Sequence, residues 1–542
     1  MTRLVVYAGK GRMSPISRRK FGKSVLSGVI ASGALAQTSL SKGSVLKRPN
    51  IVFICSDQHS GPMMMGGPGD AVPVRTPNLT RLASMGVHFK NTYCVDPVCT
   101  PSRASLMTGR FASDVGSYGN STPFDGRVPT WGNFLQQAGY FCWATGKMDL
   151  TPNADLGFKQ VHTSHGHFDH PDITALFRRP MCYRVDERRQ IDGKVEERGK
   201  HDRAVLENGL GFLRSHAKNL SKPWAAYLGF IMPHPPFGAP QKYRDLYPPD
   251  QVRIPNIPPG YLEKLPLDFQ ILRQFKMIAT PIPEERIRRA RSAYYGMITE
   301  LDEMIGEIMD QLESTGELEN TLVVYTSDHG EMLGDHGLWL KNNLLEGAAR
   351  VPLIMAGAGL PRGMSIDAPV SHVDLVATLL DFAGVSRPDG LRGHSLLPMT
   401  RGIQNSHPGF VYGESNSEGN CTGSFMIRKG EWKYIYFSWY GDRLLFNLKD
   451  DPGEMNNLAD DPVQATKVRE LHGHLTSLVD PDVITEAAFR KQHHVLMAMV
   501  RKKTPEEFFN TLMGRLGRGQ ATALTRRYYQ NWQPGPAEDR TT

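Results

Sequence analysis

The chain has 542 residues, enough for one large domain and a smaller one. Apolar residues make up 40% and charged residues 22%, the balance of a globular protein rather than a disordered or membrane-embedded one. The net charge of +8 suggests nucleic acid as a partner, but residues 1–36 carry seven basic side chains (Arg3, Lys10, Arg12, Arg18, Arg19, Lys20 and Lys23) and no acidic one; the remainder carries only +1, which argues against a nucleic-acid role.

In chain order, Ser17-Arg18-Arg19-Lys20-Phe21-Gly22-Lys23 precedes a mildly apolar run that ends Ala34-Leu35-Ala36. Paired arginines, an apolar stretch and a small-x-small end resemble a twin-arginine export signal, assigned to residues 1–36, with a polar linker over 37–48. The implied destination is the bacterial periplasm or the exterior, reached through the twin-arginine export machinery. No stretch is long and apolar enough to predict a stable membrane anchor.

Ile51-Val52-Phe53-Ile54-Cys55 is a continuous apolar run, which predicts a strand buried on both faces. Phe141–Thr145, Trp224–Ile231, Thr321–Thr326 and Val351–Ala356 read the same way, and Pro283–Glu313 carries apolar residues at helical spacing. The prediction is an α/β fold over 49–405, with a mostly parallel central sheet and helices on both faces. Four of these strands are followed closely by polar side chains of ligand or catalytic type: Asp57-Gln58, Lys147 with Asp149, His234, and Asp328-His329. One such residue after a strand usually marks a turn, but four point to a site at the carboxyl ends of the sheet.

Between the first two strands lies Cys99-Thr100-Pro101-Ser102-Arg103, continuing to Thr108-Gly109-Arg110. Thr100 as N-cap, Pro101 at the first helical position and Gly109 as the stop predict a short helix with Cys99 just before its first turn. An anion is favoured at such a helix start, and a thiol there is acidified. Arg103 is expected to point back as a bidentate oxyanion ligand. From the residues alone, Cys99 is either a buried structural cysteine or a thiolate nucleophile. The other five cysteines show no metal-type spacing, and no disulfide framework is predicted.

Residues 155–205 and 235–282 lack periodicity and are predicted as long loops over the site. From 406 to 485, short β-prone stretches separated by turns, then a helix over 464–480, predict a smaller C-terminal domain built on an antiparallel sheet. Residues 486–542 read as a basic, Met-rich tail that could reach over a neighbouring subunit in an oligomer.

The string Cys-x-Pro-Ser-Arg followed by Thr-Gly-Arg resembles the sulfatase signature, and the resemblance extends from about Arg48 to Pro462. It includes Leu445-Phe446-Asn447-Leu448 and Asp450-Asp451-Pro452-Gly453, which look like the sulfatase C-terminal domain. The resemblance implies that a formylglycine-generating enzyme oxidises Cys99 to an aldehyde whose hydrate is the nucleophile. It also implies a divalent metal at Asp57, Gln58, Asp328 and His329, sulfate contacts from Lys147 and Lys341, His234 at the leaving group and Asn120 on the substrate. The Asp-Gln and Asp-His pairs look like the branch with choline sulfatases and phosphonate monoester hydrolases. They suit Ca²⁺ and admit Mn²⁺. Where sulfatases commonly read Gly-Lys-x-His, this chain has Gly146-Lys147-Met148-Asp149, so Asp149 stands in the place of a catalytic histidine. The function implied is hydrolysis of sulfate monoesters, with a sulfated carbohydrate favoured over a small sulfate ester. The alternatives are a phosphonate or phosphodiester hydrolase on the same scaffold, or a non-catalytic glycan-binding relative.

Overall fold

Strands form where apolar residues run without interruption. The computed structural model describes residues 48–534 apart from 65–71, 170–171, 180, 197–198, 216 and 404, so the export signal and most of the linker lie outside the described residues. Eight strands make the central sheet: β1 (Asn50–Ser56), β2 (Gly86–Phe89), β3 (Phe141–Lys147), β4 (Lys159–Ser164), β5 (Trp224–Gly229), β6 (Thr321–Ser327), β7 (Leu353–Ala356) and β8 (Met364–Ile366), in the order β8-β2-β7-β6-β1-β5-β3-β4. All run the same way except β7, which is antiparallel to both its neighbours. The single apolar run expected over Val351–Ala356 is broken at Pro352, which has no N–H to give a ladder; Arg350–Val351 pairs elsewhere and only Leu353–Ala356 joins the sheet.

Both faces of the sheet are covered. On β1, Val52 and Ile54 pack on one side with the long helix Glu284–Ser314. Ile51, Phe53 and Cys55 pack on the other with helices Cys99–Thr108 and His372–Phe382. A strand with no solvent face needs no polar alternation.

The C-terminal sheet is antiparallel, with Phe410–Ser415, Ser424–Lys429, Trp432–Phe437 and Arg443–Asn447 side by side in chain order. It does not stand apart: from Arg48 onward the chain is one compact unit. Lys433 Nζ, fully buried, bridges Glu346 and Glu454 at 2.9 Å each. Glu414, buried on the first of these strands, accepts hydrogen bonds from Ser113 N at 2.8 Å and Tyr412 OH at 3.1 Å. Burial pushes its carboxyl up to about 7. The folded state therefore holds this proton more tightly than the unfolded chain does. The resulting stability is full below the ordinary value of 4.5 and is lost as pH rises through about 7. Glu414→Gln is expected to unfold at the same urea concentration as wild type near pH 4, and to be more stable by about 2–3 kcal/mol near pH 8.

The tail differs from expectation. The boundary placed at 485/486 falls inside a helix, Pro481–Arg501, and two more follow, Pro505–Leu516 and Arg518–Tyr528. These helices fold on their own chain. Phe508, Phe509, Leu512 and Leu516 are buried in one cluster with Phe177, Phe269 and Phe437. Those four residues share one helical face behind the Thr504–Glu507 capping box, a pattern masked by the surrounding charge. The segments 155–205 and 235–282 meet this tail over the carboxyl end of the sheet. Arg178 Nη1 donates to Gln492 Oε1 at 2.9 Å, and Phe269 and Phe275 share a buried cluster with Phe508.

Candidate active site

Parallel register brings the strand ends together. Ser56 on β1 pairs with Ser327 on β6, so Asp57 and Asp328 emerge side by side, both buried. Two residues at these ends take left-handed backbone, Gln58 at φ 68° and Asp149 at φ 52°, which turns their side chains off the line of the strand. The helix Cys99–Thr108 (α1) starts at Cys99 itself, two residues earlier than expected, after the extended residue Val98. Thr100 is therefore inside the first turn and is not the N-cap. Asn120 takes that role from elsewhere in the chain, its Oδ1 accepting from Thr100 N at 3.2 Å. Gly109 ends the helix at φ 66° as expected. Every residue of α1, and its stop Gly109, is buried, so the helix start is held in a fixed setting.

Around Cys99 Sγ lie Lys341 Nζ at 3.0 Å, His329 Nε2 at 3.3 Å and Asp57 Oδ1 at 3.9 Å. Lys341 Nζ also donates to Gln58 Oε1 at 2.8 Å. Lys147 Nζ pairs with Asp57 and lies 3.1 Å from Asp149 Oδ2. Burial works against ionising Cys99, but Lys147, Lys341 and His329 together hold its thiol well below the ordinary range. Burial and Cys99 likewise work against Asp57, yet Lys147, His234 and Lys341 keep it ionised far into acid. His234 Nδ1 donates to Pro235 O at 2.6 Å, and the ring is half-buried, with no hydrogen bond to Nε2 among the described residues.

Arg103 does not act as the expected oxyanion ligand. Its guanidinium is fully buried and its donors are committed to the protein: Nε to Asp328 Oδ2, and Nη1 to Lys147 O and Tyr227 OH, each at 2.8 Å. Nη2 lies 3.7 Å from Asp57 Oδ2. Arg103 therefore fixes the carboxylates and the end of β3 rather than binding an incoming anion.

Asp57, Asp328 and His329, together with Cys99, bring potential ligand atoms within 4.8 Å of one another. His329 Nδ1 donates to Gly330 O at 3.0 Å, which turns Nε2 towards both carboxylates at 3.6 and 3.7 Å. Burial, only partly offset by Arg103, raises the Asp328 carboxyl. Two buried carboxylates, an oriented imidazole and the adjacent Gln58 amide form a donor set that fits a hard divalent cation.

Three participants carried no usable sequence signal. Glu331 accepts from Gln58 Nε2 and from Leu333 N and Leu340 N at 2.9 and 2.6 Å, so it sets both the amide and the segment that carries Lys341. Tyr294 OH donates to Gln58 O at 2.7 Å from the long helix. His167, 18 residues beyond Asp149 in an aperiodic segment, brings a ring nitrogen within 4.8 Å of both Cys99 Sγ and the Asp149 carboxylate, and its backbone N–H donates to Asp149 Oδ1 at 3.4 Å. All six cysteines are buried and unpaired. No helix among the described residues is long and apolar enough to cross a membrane.

Residues 49–385 match the family model described as Sulfatase, and residues 334–480 match the one described as N-sulphoglucosamine sulphohydrolase, C-terminal. The choline-sulfatase of Rhizobium meliloti (strain 1021) is 34% identical over 440 residues, covering 77% of this chain and 83% of that one. The phosphonate monoester hydrolase of Agrobacterium radiobacter superposes with a TM-score of 0.66 at 26% identity, over 80% of this chain and 95% of that one. A protein solved with its substrate D-glucosamine-2-N,6-O-disulfate gives a TM-score of 0.61 at 25% identity, over 82% and 98%.

Proposed function

The chain belongs to the sulfatase family and is a sulfuric ester hydrolase; from that premise we propose that its substrates are sulfated carbohydrates, that Cys99 is oxidised to formylglycine before it acts, and that it works outside the cytoplasm. The observation that carries the reading is the setting of Cys99: a buried helix start with two ammonium groups and a ligand-type cluster converging on one sulfur. Such a place grips a tetrahedral anion while excluding water.

Each residue then has a defined task. Lys341 and Lys147 balance the charge on the non-bridging sulfate oxygens, and Asp57 and Gln58 keep the two ammonium groups in position. His234 Nε2, at the rim, protonates the departing alcohol oxygen. Arg103 keeps Asp57 and Asp328 adjacent. The formylglycine made at residue 99 supplies the nucleophilic oxygen. A divalent cation held by Asp57, Gln58, Asp328 and His329 supplies the charge that polarises the sulfate, and the mainly oxygen donor set favours Ca²⁺. Chelation is expected to cut turnover by about 10²-fold or more and to lower the thermal midpoint, with Ca²⁺ restoring both. Unchanged turnover after exhaustive chelation, with the metal confirmed absent, removes the cation from the reading.

The carbohydrate assignment draws on the two long segments over the site and on the neighbour that binds a disulfated glucosamine. Export draws on residues 17–36 and is tested by fractionating cells that make the full chain. The Asp-Gln and Asp-His pairs, together with the structural likeness to a phosphonate monoester hydrolase, favour a second activity on phosphonate monoesters. The deciding experiment has two parts. The mass of the peptide spanning residue 99 should be lighter than its thiol form after co-expression with a formylglycine-generating enzyme. A panel of sulfated sugars, aryl sulfates and phosphonate monoesters should then rank sulfated sugars first. An unmodified thiol in an active enzyme refutes the formylglycine assignment, and turnover confined to phosphonates refutes the carbohydrate assignment.

A further inference from the structure

Asp149 stands where the family places a histidine, and a carboxylate beside an anionic substrate is a poor substitute on its own. The structure brings in an imidazole from another segment. The carboxylate of Asp149, a ring nitrogen of His167 and Cys99 Sγ all lie within 4.8 Å of one another. The arrangement is built by backbone that ordinary sequence would not adopt. Asp149 sits at φ 52°, and its Oδ1 meets the turn at Gly166–His167, where a Cβ on residue 166 would stand 2.6 Å from that oxygen. A glycine at 166 is what lets His167 come this close.

Among the described residues, the other nitrogens around Cys99 have other duties. Lys147 and Lys341 are held as ammonium ions by their carboxylate and thiolate neighbours, despite burial. His329 turns Nε2 towards the two carboxylates of the ligand cluster. His167 is left facing the reactive atom with a carboxylate beside it.

We propose that His167, aligned by Asp149, is the base that takes the last proton from residue 99 and so releases sulfate. This rests on the sulfatase reading above. After the alcohol has left, residue 99 carries one hydroxyl and one sulfate on the same carbon. The His167 nitrogen accepts the hydroxyl proton, the O–H electron pair becomes the second C=O bond, and the C–O bond to sulfate breaks with its electron pair leaving on sulfate. The aldehyde is regenerated and the proton passes from the imidazolium to water. Burial opposes charging the ring, but the neighbouring Asp149 carboxylate raises its basicity, in keeping with this task. His167 is the catalytic residue of the step; Asp149 is a positioning residue that acts through it.

The test uses formylglycine-bearing wild type, His167→Gln and Asp149→Asn, mixed rapidly with an aryl sulfate in excess, with two readouts. One is the time course of alcohol release; the other is the mass of the residue-99 peptide after acid quench. His167→Gln should release one equivalent of alcohol in a burst near the wild-type rate, then turn over about 10²-fold or more slowly, with the peptide heavier by one SO₃ group. Asp149→Asn should show the same trapped sulfate with a smaller loss. If burst and turnover fall together and no sulfated peptide accumulates, His167 acts before sulfate transfer or only supports the fold, and the proposal fails. If wild type itself neither bursts nor turns over on any sulfate ester, the sulfatase reading fails, and the proposal with it.

Discussion

Cys99→Ala is expected to take sulfate ester hydrolysis to background, a fall of about 10⁵-fold or more, while leaving the fold intact. The size follows from losing the one group at the helix start that can become the nucleophile; the remaining residues only bind and polarise. The fold survives because little is stranded. Lys341 keeps Gln58 Oε1 at 2.8 Å, Lys147 keeps Asp57 and Asp149, and the extended residue Val98 still starts α1. A single lost sulfur in a packed site costs on the order of 1 kcal/mol. Inorganic sulfate should bind the variant at least as tightly as it binds the thiol form, because no thiolate competes for the two ammonium groups. Calorimetry with sulfate and an assay with a sulfate ester check both halves. An alanine variant that still turns over would place the nucleophile elsewhere.

The legible parts of the molecule were those where local sequence and tertiary role coincide. Ile51–Cys55 and Leu322–Tyr325 are largely apolar because both faces of their strands are covered, and the aspartate just past each strand end, Asp57 or Asp328, is the one that enters the site. Gly109 was legible because a left-handed stop asks for glycine. The parts that were not legible are contacts made across the chain. Asn120 caps α1 over a gap of 20 residues, a pairing no local pattern encodes, whereas Thr100 looked like the cap because it is a good one in isolation. Arg103 has the chemistry of an anion ligand, and only its burial against Asp328, Lys147 O and Tyr227 shows that its donors are spent within the protein. Glu331 and His167 lie in stretches with no periodicity, and their roles arise from where the strand ends and the overlying segments deliver them. The helices of the tail are hard to read because its charge is more visible than the apolar face beneath it.

Arg103→Met is expected to be the converse of Cys99→Ala, breaking the scaffold before it breaks the chemistry. Arg103 is among the largest fully buried side chains, and Met replaces its volume but none of its donors. Asp328 then loses its guanidinium partner and keeps two backbone donors, Gln58 N at 3.1 Å and His329 N at 2.8 Å. Asp57 keeps Lys147 but faces an uncompensated carboxylate across the strand register. Removing one side of a buried ion pair costs about 3–5 kcal/mol, because the remaining charge stays buried without its counter-ion. Urea unfolding should therefore shift by that amount for Arg103→Met. Arg103→Lys should recover only part of it, since one ammonium cannot reach Asp328, Lys147 O and Tyr227 OH together. Added Ca²⁺ should narrow the gap between Arg103→Met and wild type, because a cation among Asp57, Asp328 and His329 replaces part of the missing positive charge. If Arg103→Met unfolds at the wild-type urea concentration but loses activity, the guanidinium contacts the substrate after all, and the carboxylates are held adjacent by register alone.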